Sequence, residues 1–220
     1  MGEIRGRLRA AIATIEDFAD GKLDLRLRSP ATEDQLLEAE HEFGHRLPDD
    51  LRELYLLHDG QDQQWREGWT VQDFFPGHPF ASIDLAMQGW RSMCDFWQLE
   101  SGQGAIVGFE SDKGWWDPEL RQVPADIAWF PFGRPDEDKT ALYVDLNPVA
   151  GRPRGQVIYQ GAWAHPPAYV GPNVLAVVER IAQSISAGEM QVRQQEDFIW
   201  WGFGPTAQPL ETVARDLFPD

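Results

Sequence analysis

A chain of 220 residues with 42% hydrophobic and 25% charged side chains can bury a sizeable core within one domain. Its 36 acidic against 19 basic residues leave a formal charge of -17, which repels nucleic acid and anionic membranes, so neither is expected as a partner. The single cysteine, Cys94, excludes an internal disulfide and suits a reducing compartment, and no run of about 18 apolar residues offers a membrane span.

Residues 3–20 place Ile4, Leu8, Ala11, Ile12, Ile15 and Ala19 at helical spacing, with Arg5, Arg7, Arg9, Glu16 and Asp17 off the stripe. This predicts an amphipathic first helix docked on the protein's own core and stopped at Gly21. The start of the chain is acidic at Glu3 and lacks an apolar run, so no signal peptide is read and a cytoplasmic location is expected. After Ser29-Pro30, Thr32 followed by Gln35 reads as a capping box. The helix from Glu33 presents Leu36, Ala39 or Glu40, and Phe43, and Gly44 is its natural left-handed terminator.

That helix contains His41-Glu42-Phe43-Gly44-His45, the H-E-x-x-H pattern in which two imidazoles one helical turn apart bind zinc and the glutamate polarises the metal's water. A helix that ends at Gly44 leaves His45 outside and removes the spacing. Arg46-Leu47-Pro48 supplies no third ligand, and His58, His78 and His165 form no pair at a recognisable ligand spacing. A zinc hydrolase through His41, Glu42 and His45 is thus a remote alternative; no metal, no cofactor and no enzymatic activity are expected.

Pro48 opens a second helix to about His58, with Leu51, Leu54, Tyr55 and His58 on one stripe and Gly60 past its end. The pair makes an αα-hairpin. Periodicity is then weak: residues 61–64 are polar, Phe74-Phe75-Pro76-Gly77 reads as a turn, and a helix over 83–99 carries Leu85, Trp90, Met93 and Trp97. From Gly102 onward the runs at 105–111, 127–133, 140–146 and 155–161 are rich in β-branched and aromatic residues and bounded by turn residues. Four strands without long helices between them predict an antiparallel meander. Gly102-Gln103-Gly104 precedes a strand when a dinucleotide fingerprint would follow one. Residues 173–187 return to helical period with Val174, Val177, Val178, Ile181 and Ile185 as the buried stripe, Asn173 as cap and Gly188 as stop. A tail with "FIWWGFGP" and a short helix at 209–217 follows. Helices, then strands, then a helix predict an α+β fold: a largely antiparallel sheet of four or more strands flanked by an N-terminal helical hairpin and a C-terminal helix.

The order of "ATEDQLLEAEHEFGHRLPDDLRELYLLHDGQ" (31–61), "WFPFG", "ALYVDLNPVAGRPRGQVIYQ" (141–160) and a closing amphipathic helix resembles the SUKH superfamily, which includes fungal cell-wall-assembly regulators and bacterial immunity proteins. Its marks here are Glu40-x-x-x-Gly44-x-x-Leu47-Pro48, Asp59-Gly60, and Asp145-x-Asn147-Pro148 leading to Gly155-Gln156-Val157. The resemblance covers about residues 30–188, the core of what is expected to be one domain, and the N-terminal helix in 1–29 and the C-terminal extension in 189–220 are departures from the smaller family members. The resemblance implies a protein-binding scaffold: an immunity protein that neutralises a cognate toxin, or alternatively a regulatory adaptor.

For the partner surface, the sequence offers Trp115-Trp116-Asp117-Pro118-Glu119, two adjacent tryptophans in an acidic loop. With Asp112, and with Asp136, Glu137 and Asp138 in the next loop, they form an anchor-and-steering set suited to a basic toxin domain. Residues 16–73 hold 16 acidic and 6 basic side chains, so that stretch is a second source of attraction toward a basic partner.

Overall fold

The computed structural model describes residues 2–62, 73–98, 120, 123, 125–133, 141–161, 167–195 and 198–219. Its helices are α1 (Gly2–Ala19), α2 (Glu33–Phe43), α3 (Asp49–Tyr55), α4 (Ile83–Trp97), α5 (Val174–Ser186) and α6 (Leu210–Leu217). Its strands are β1 (Trp129–Pro131), β2 (Ala141–Asp145), β3 (Gln156–Gln160), β4 (Ala168–Gly171), β5 (Met190–Gln195) and β6 (Phe198–Phe203). Strands β1 to β4 form an antiparallel sheet in sequence order, and β5 and β6 form a separate hairpin. The fold is α+β, with the helical hairpin before the sheet and α5 after it.

Alternation along the strands builds a core on each face of the sheet. Phe130, Leu142, Val144, Val157 and Val170 face the larger core, shared with α1, α2, α3 and α5. Trp129, Ala141, Tyr143 and Ile158 face a smaller cluster closed by Met93, Leu120 and Ala125. Helix α4 serves both, placing Ile83, Ala86 and Met87 in the larger core and Met93 in the smaller. Outside α3 and α5 lies α1, whose buried stripe is Leu8, Ala11, Ile12, Ile15 and Ala19 as its periodicity predicts.

Local signals set the helix ends. The Thr32–Gln35 capping box is present in both directions, and Gly44 closes α2 at φ 80°. Asn173 caps α5 through the N–H of Ala176, and the buried Asp50 of α3 accepts the N–H of Leu175, so two of the donors at that helix end are satisfied. Helix α3 stops at Tyr55, short of the expected His58: Leu57 and His58 both turn back onto the carbonyl of Leu54, and the N–H of Asp59 goes to Ser29.

The sheet also holds β4, Ala168–Gly171, a strand that the sequence reading does not single out, while the run at 105–111 lies outside the described residues. The polar residues after Gly60 hide an organiser. Gln61 is fully buried, its carbonyl accepting the N–H groups of Phe74 (2.9 Å) and Phe80 (2.8 Å) and its amide donating to Leu25. The turn at 74–78 then receives the C-terminal segment: Trp201 donates to the Asp73 carbonyl at 2.6 Å, Leu210 to that of Pro76, and His78 meets Glu211 at 2.7 Å. Trp201 also packs against Phe18 of α1, ring centres 5.7 Å apart. No helix among the described residues is long and apolar enough to cross a membrane.

Candidate functional site

The sequence-derived partner set, Asp112, Trp115, Trp116, Asp117, Glu119, Asp136, Glu137 and Asp138, lies entirely outside the described residues. The other sequence marks lie within them.

At the H-E-x-x-H pattern, His41 sits exposed in the last turn of α2, while His45 lies beyond the left-handed Gly44 with its ring edge-on to Phe43, 5.3 Å between centres. The two imidazoles therefore do not share a helical face. Glu42 is clasped by the Arg91 guanidinium of α4 at 2.5 and 2.6 Å, and this bond holds its carboxyl below the usual range. A carboxylate so engaged is poorly placed to polarise a water. Among the described residues no three His, Cys, Asp or Glu side chains gather in a way that could hold a metal ion.

The remaining marks are joints of the scaffold. Glu40 accepts the backbone N–H of Leu47 at 2.8 Å and pairs with Arg52 of α3 at 2.6 Å, so one carboxylate fixes both the turn and the helix after it. Asp59 accepts the N–H of Ile83 at the start of α4, and burial raises its carboxyl above the ordinary value. Gly60 adopts φ 72°, and a Cβ there would stand 2.3 Å from the Ser82 nitrogen, so only glycine lets the two segments touch. Asp145 accepts from the Gln156 amide and the Asn147 backbone, both at 2.9 Å, and Asn147 donates to Asp126 at 3.1 Å. These bonds tie the β2–β3 loop to the segment that leads into β1.

What the scaffold turns outward is charge. Helix α2 exposes Glu33, Asp34, Glu38, His41 and Glu42, and α4 exposes Asp84 and Asp95. Leu37 of α2, 56% exposed, and Phe96 of α4, 40% exposed, are the large hydrophobic residues that stand out among the described surface. Sequence periodicity assigned Leu36 to the core, as observed, and left Leu37 off the stripe without a role of its own. A cleft of about 620 Å³ lies between residues 26–30, Gln35, Asp59 and Asp62. Its arginines are already matched, Arg26 to Asp24 at 2.6 Å and Arg28 to Asp59 at 3.4 Å, which leaves it no net attraction for an anion.

The model of the SMI1 / KNR4 family (SUKH-1) matches residues 30–187. No curated protein matches the chain.

Proposed function

Since the chain belongs to the SMI1 / KNR4 (SUKH-1) family, we propose that it is an immunity protein, which binds a cognate basic toxin domain in the cytoplasm and blocks it without chemistry of its own. Membership is equally consistent with an SMI1-like regulator. The observation that carries the immunity reading is the division of labour among carboxylates. Those at the family marks, Glu40, Asp59 and Asp145, are spent inside the scaffold, while Glu33, Asp34, Glu38, Glu42, Asp84 and Asp95 stand exposed on α2 and α4. An acidic surface on a rigid frame suits fast capture of a cationic protein. The anchors proposed for that capture are Trp115 and Trp116, flanked by Asp112, Asp117 and Glu119, with Asp136, Glu137 and Asp138 steering.

The test is co-expression with candidate toxin domains. Rescue of growth, with a one-to-one complex on purification, is the expected result. Recovery of several unrelated partners with no protection against any toxin would favour the regulator.

A further inference from the structure

Helix α2 carries five carboxylates, and the scaffold claims three of them. Glu33 and Glu40 both lie on Arg52, and Glu42 is held by Arg91. Asp34 and Glu38 have no such partner among the described residues. They share one ridge with Leu37 and His41, at the i, i+3, i+4, i+7 spacing of a single helix face. All four are exposed, and Leu37 takes no part in either core.

Local preference runs against this ridge. Asp34 in the first turn suits the helix N-terminus, but Glu38 one turn on sets a like charge against it, and a leucine more than half exposed adds little to the core. The helix around them is otherwise consistent: capped at both ends, with Glu40 and Glu42 pinned to neighbouring helices. A local rule broken within a consistent frame marks a place shaped by something other than folding.

We infer that this ridge docks the basic partner: Leu37 enters an apolar pocket on it, and Asp34 and Glu38 meet lysine or arginine side chains at the rim. The inference rests on the immunity reading above. Charge selects the occupant, because a second copy of the chain would set the same carboxylates against each other, whereas a cationic rim relieves the repulsion the free helix carries. The geometry is that of helix-in-groove recognition, and a helix capped and pinned beforehand has little left to order on binding.

The probe is the toxin domain that the chain suppresses, purified in an inactivated form. Leu37→Ala in the full chain should raise the dissociation rate about tenfold or more. Asp34→Lys with Glu38→Lys should lower the association rate several-fold at low salt, and the gap should close at high salt. Glu38→Gln should melt at or above the wild-type temperature while binding more weakly, which separates lost recognition from lost folding. Wild-type kinetics in all these variants, with protection intact, would overturn the inference and leave the immunity reading standing. A wild-type chain that neither binds nor protects against any toxin would take both down. Toxin binding unaffected by Leu37→Ala, together with a dimer of the chain that this variant abolishes, would assign the ridge to a second copy and overturn the inference.

Discussion

The Glu40 carboxylate accepts the backbone N–H of Leu47 at 2.8 Å, spanning the turn that joins α2 to α3. Its second oxygen lies 2.6 Å from Arg52, and both side chains are close to buried. Glu40→Ala takes the acceptor from the Leu47 N–H and leaves Arg52 with Glu33 alone, so it should cost about 2 kcal/mol in urea denaturation. Glu40→Gln retains an acceptor for Leu47 and should cost roughly half as much. An alanine variant within about 0.5 kcal/mol of wild type would show that the turn holds without it.

Gly44 and Gly60 are both left-handed, at φ 80° and 72°, yet their surroundings differ. A Cβ at Gly44 meets nothing within 4 Å, whereas at Gly60 it would overlap Ala81 and Ser82. Gly44→Ala should therefore cost only the backbone term, about 1 kcal/mol, and Gly60→Ala about 3 kcal/mol or more. Equal losses in thermal melting would mean that the contact with Ser82 yields without strain.

Burial holds Asp145 above the ordinary aspartate value of 3.8, against the hydrogen bonds from Gln156 and the Asn147 backbone, and nearby Asp126 adds to the rise. A pKa higher in the folded chain than in the unfolded one means that the native state binds this proton more tightly. Ionising Asp145 then subtracts stability as pH climbs through that interval. Asp145→Asn abolishes the titration, so its stability relative to wild type should improve from about pH 4 toward neutrality. A difference that stays flat between those two pH values would refute this.

Cys94 is half-buried, and burial, with Asp95 beside it, pushes its thiol up to about 11. At pH 8 its thiolate fraction should be roughly a hundredfold or more below that of a free thiol near 8.5. Alkylation by iodoacetamide should accordingly be slower by about that factor in the native chain than in urea. Comparable rates would indicate an accessible, activated thiol.

Recognition should depend on salt, with association fast at low ionic strength and slower as the Debye length falls to about 8 Å near 0.15 M. Trp115→Ala or Trp116→Ala should raise the dissociation rate and cost roughly 2 kcal/mol of affinity. Charge reversal at Glu119 or within 136–138 should act mainly on association. Salt-independent association, together with an inert Trp115→Ala, Trp116→Ala double variant, would place the interface elsewhere.

Features written in adjacent residues were legible in the sequence, and features made by distant partners were not. Thr32 with Gln35, Gly44 and Asn173 announce helix ends because each acts within one turn of itself. The stripe of α1 is visible for the same reason. Strand β4, with only Tyr169 and Val170 as strand formers between Ala168 and Gly171, owes its conformation to pairing with β3. Strand β5 is mostly glutamine and arginine, and its pairing with the aromatic β6 makes it a strand. Within the site, the role of Glu40 could be suspected from its place in a family mark, but Arg52 and Leu47 as its partners could not be read from spacing. Leu37 lies off the stripe, and spacing alone gives an off-stripe leucine no role.

Helix α1 and the β5–β6 hairpin flank the family-matched residues in sequence, yet Phe18 and Trp201 bring them together in space. Trimming the chain to 30–187 would strip the cover from α5 and, in the same cut, remove the indole that grips the Asp73 carbonyl. The stretch by which this chain is related to others is thus shorter than the stretch that could be grafted or expressed alone, and the unit to carry into any chimera runs from α1 through α6.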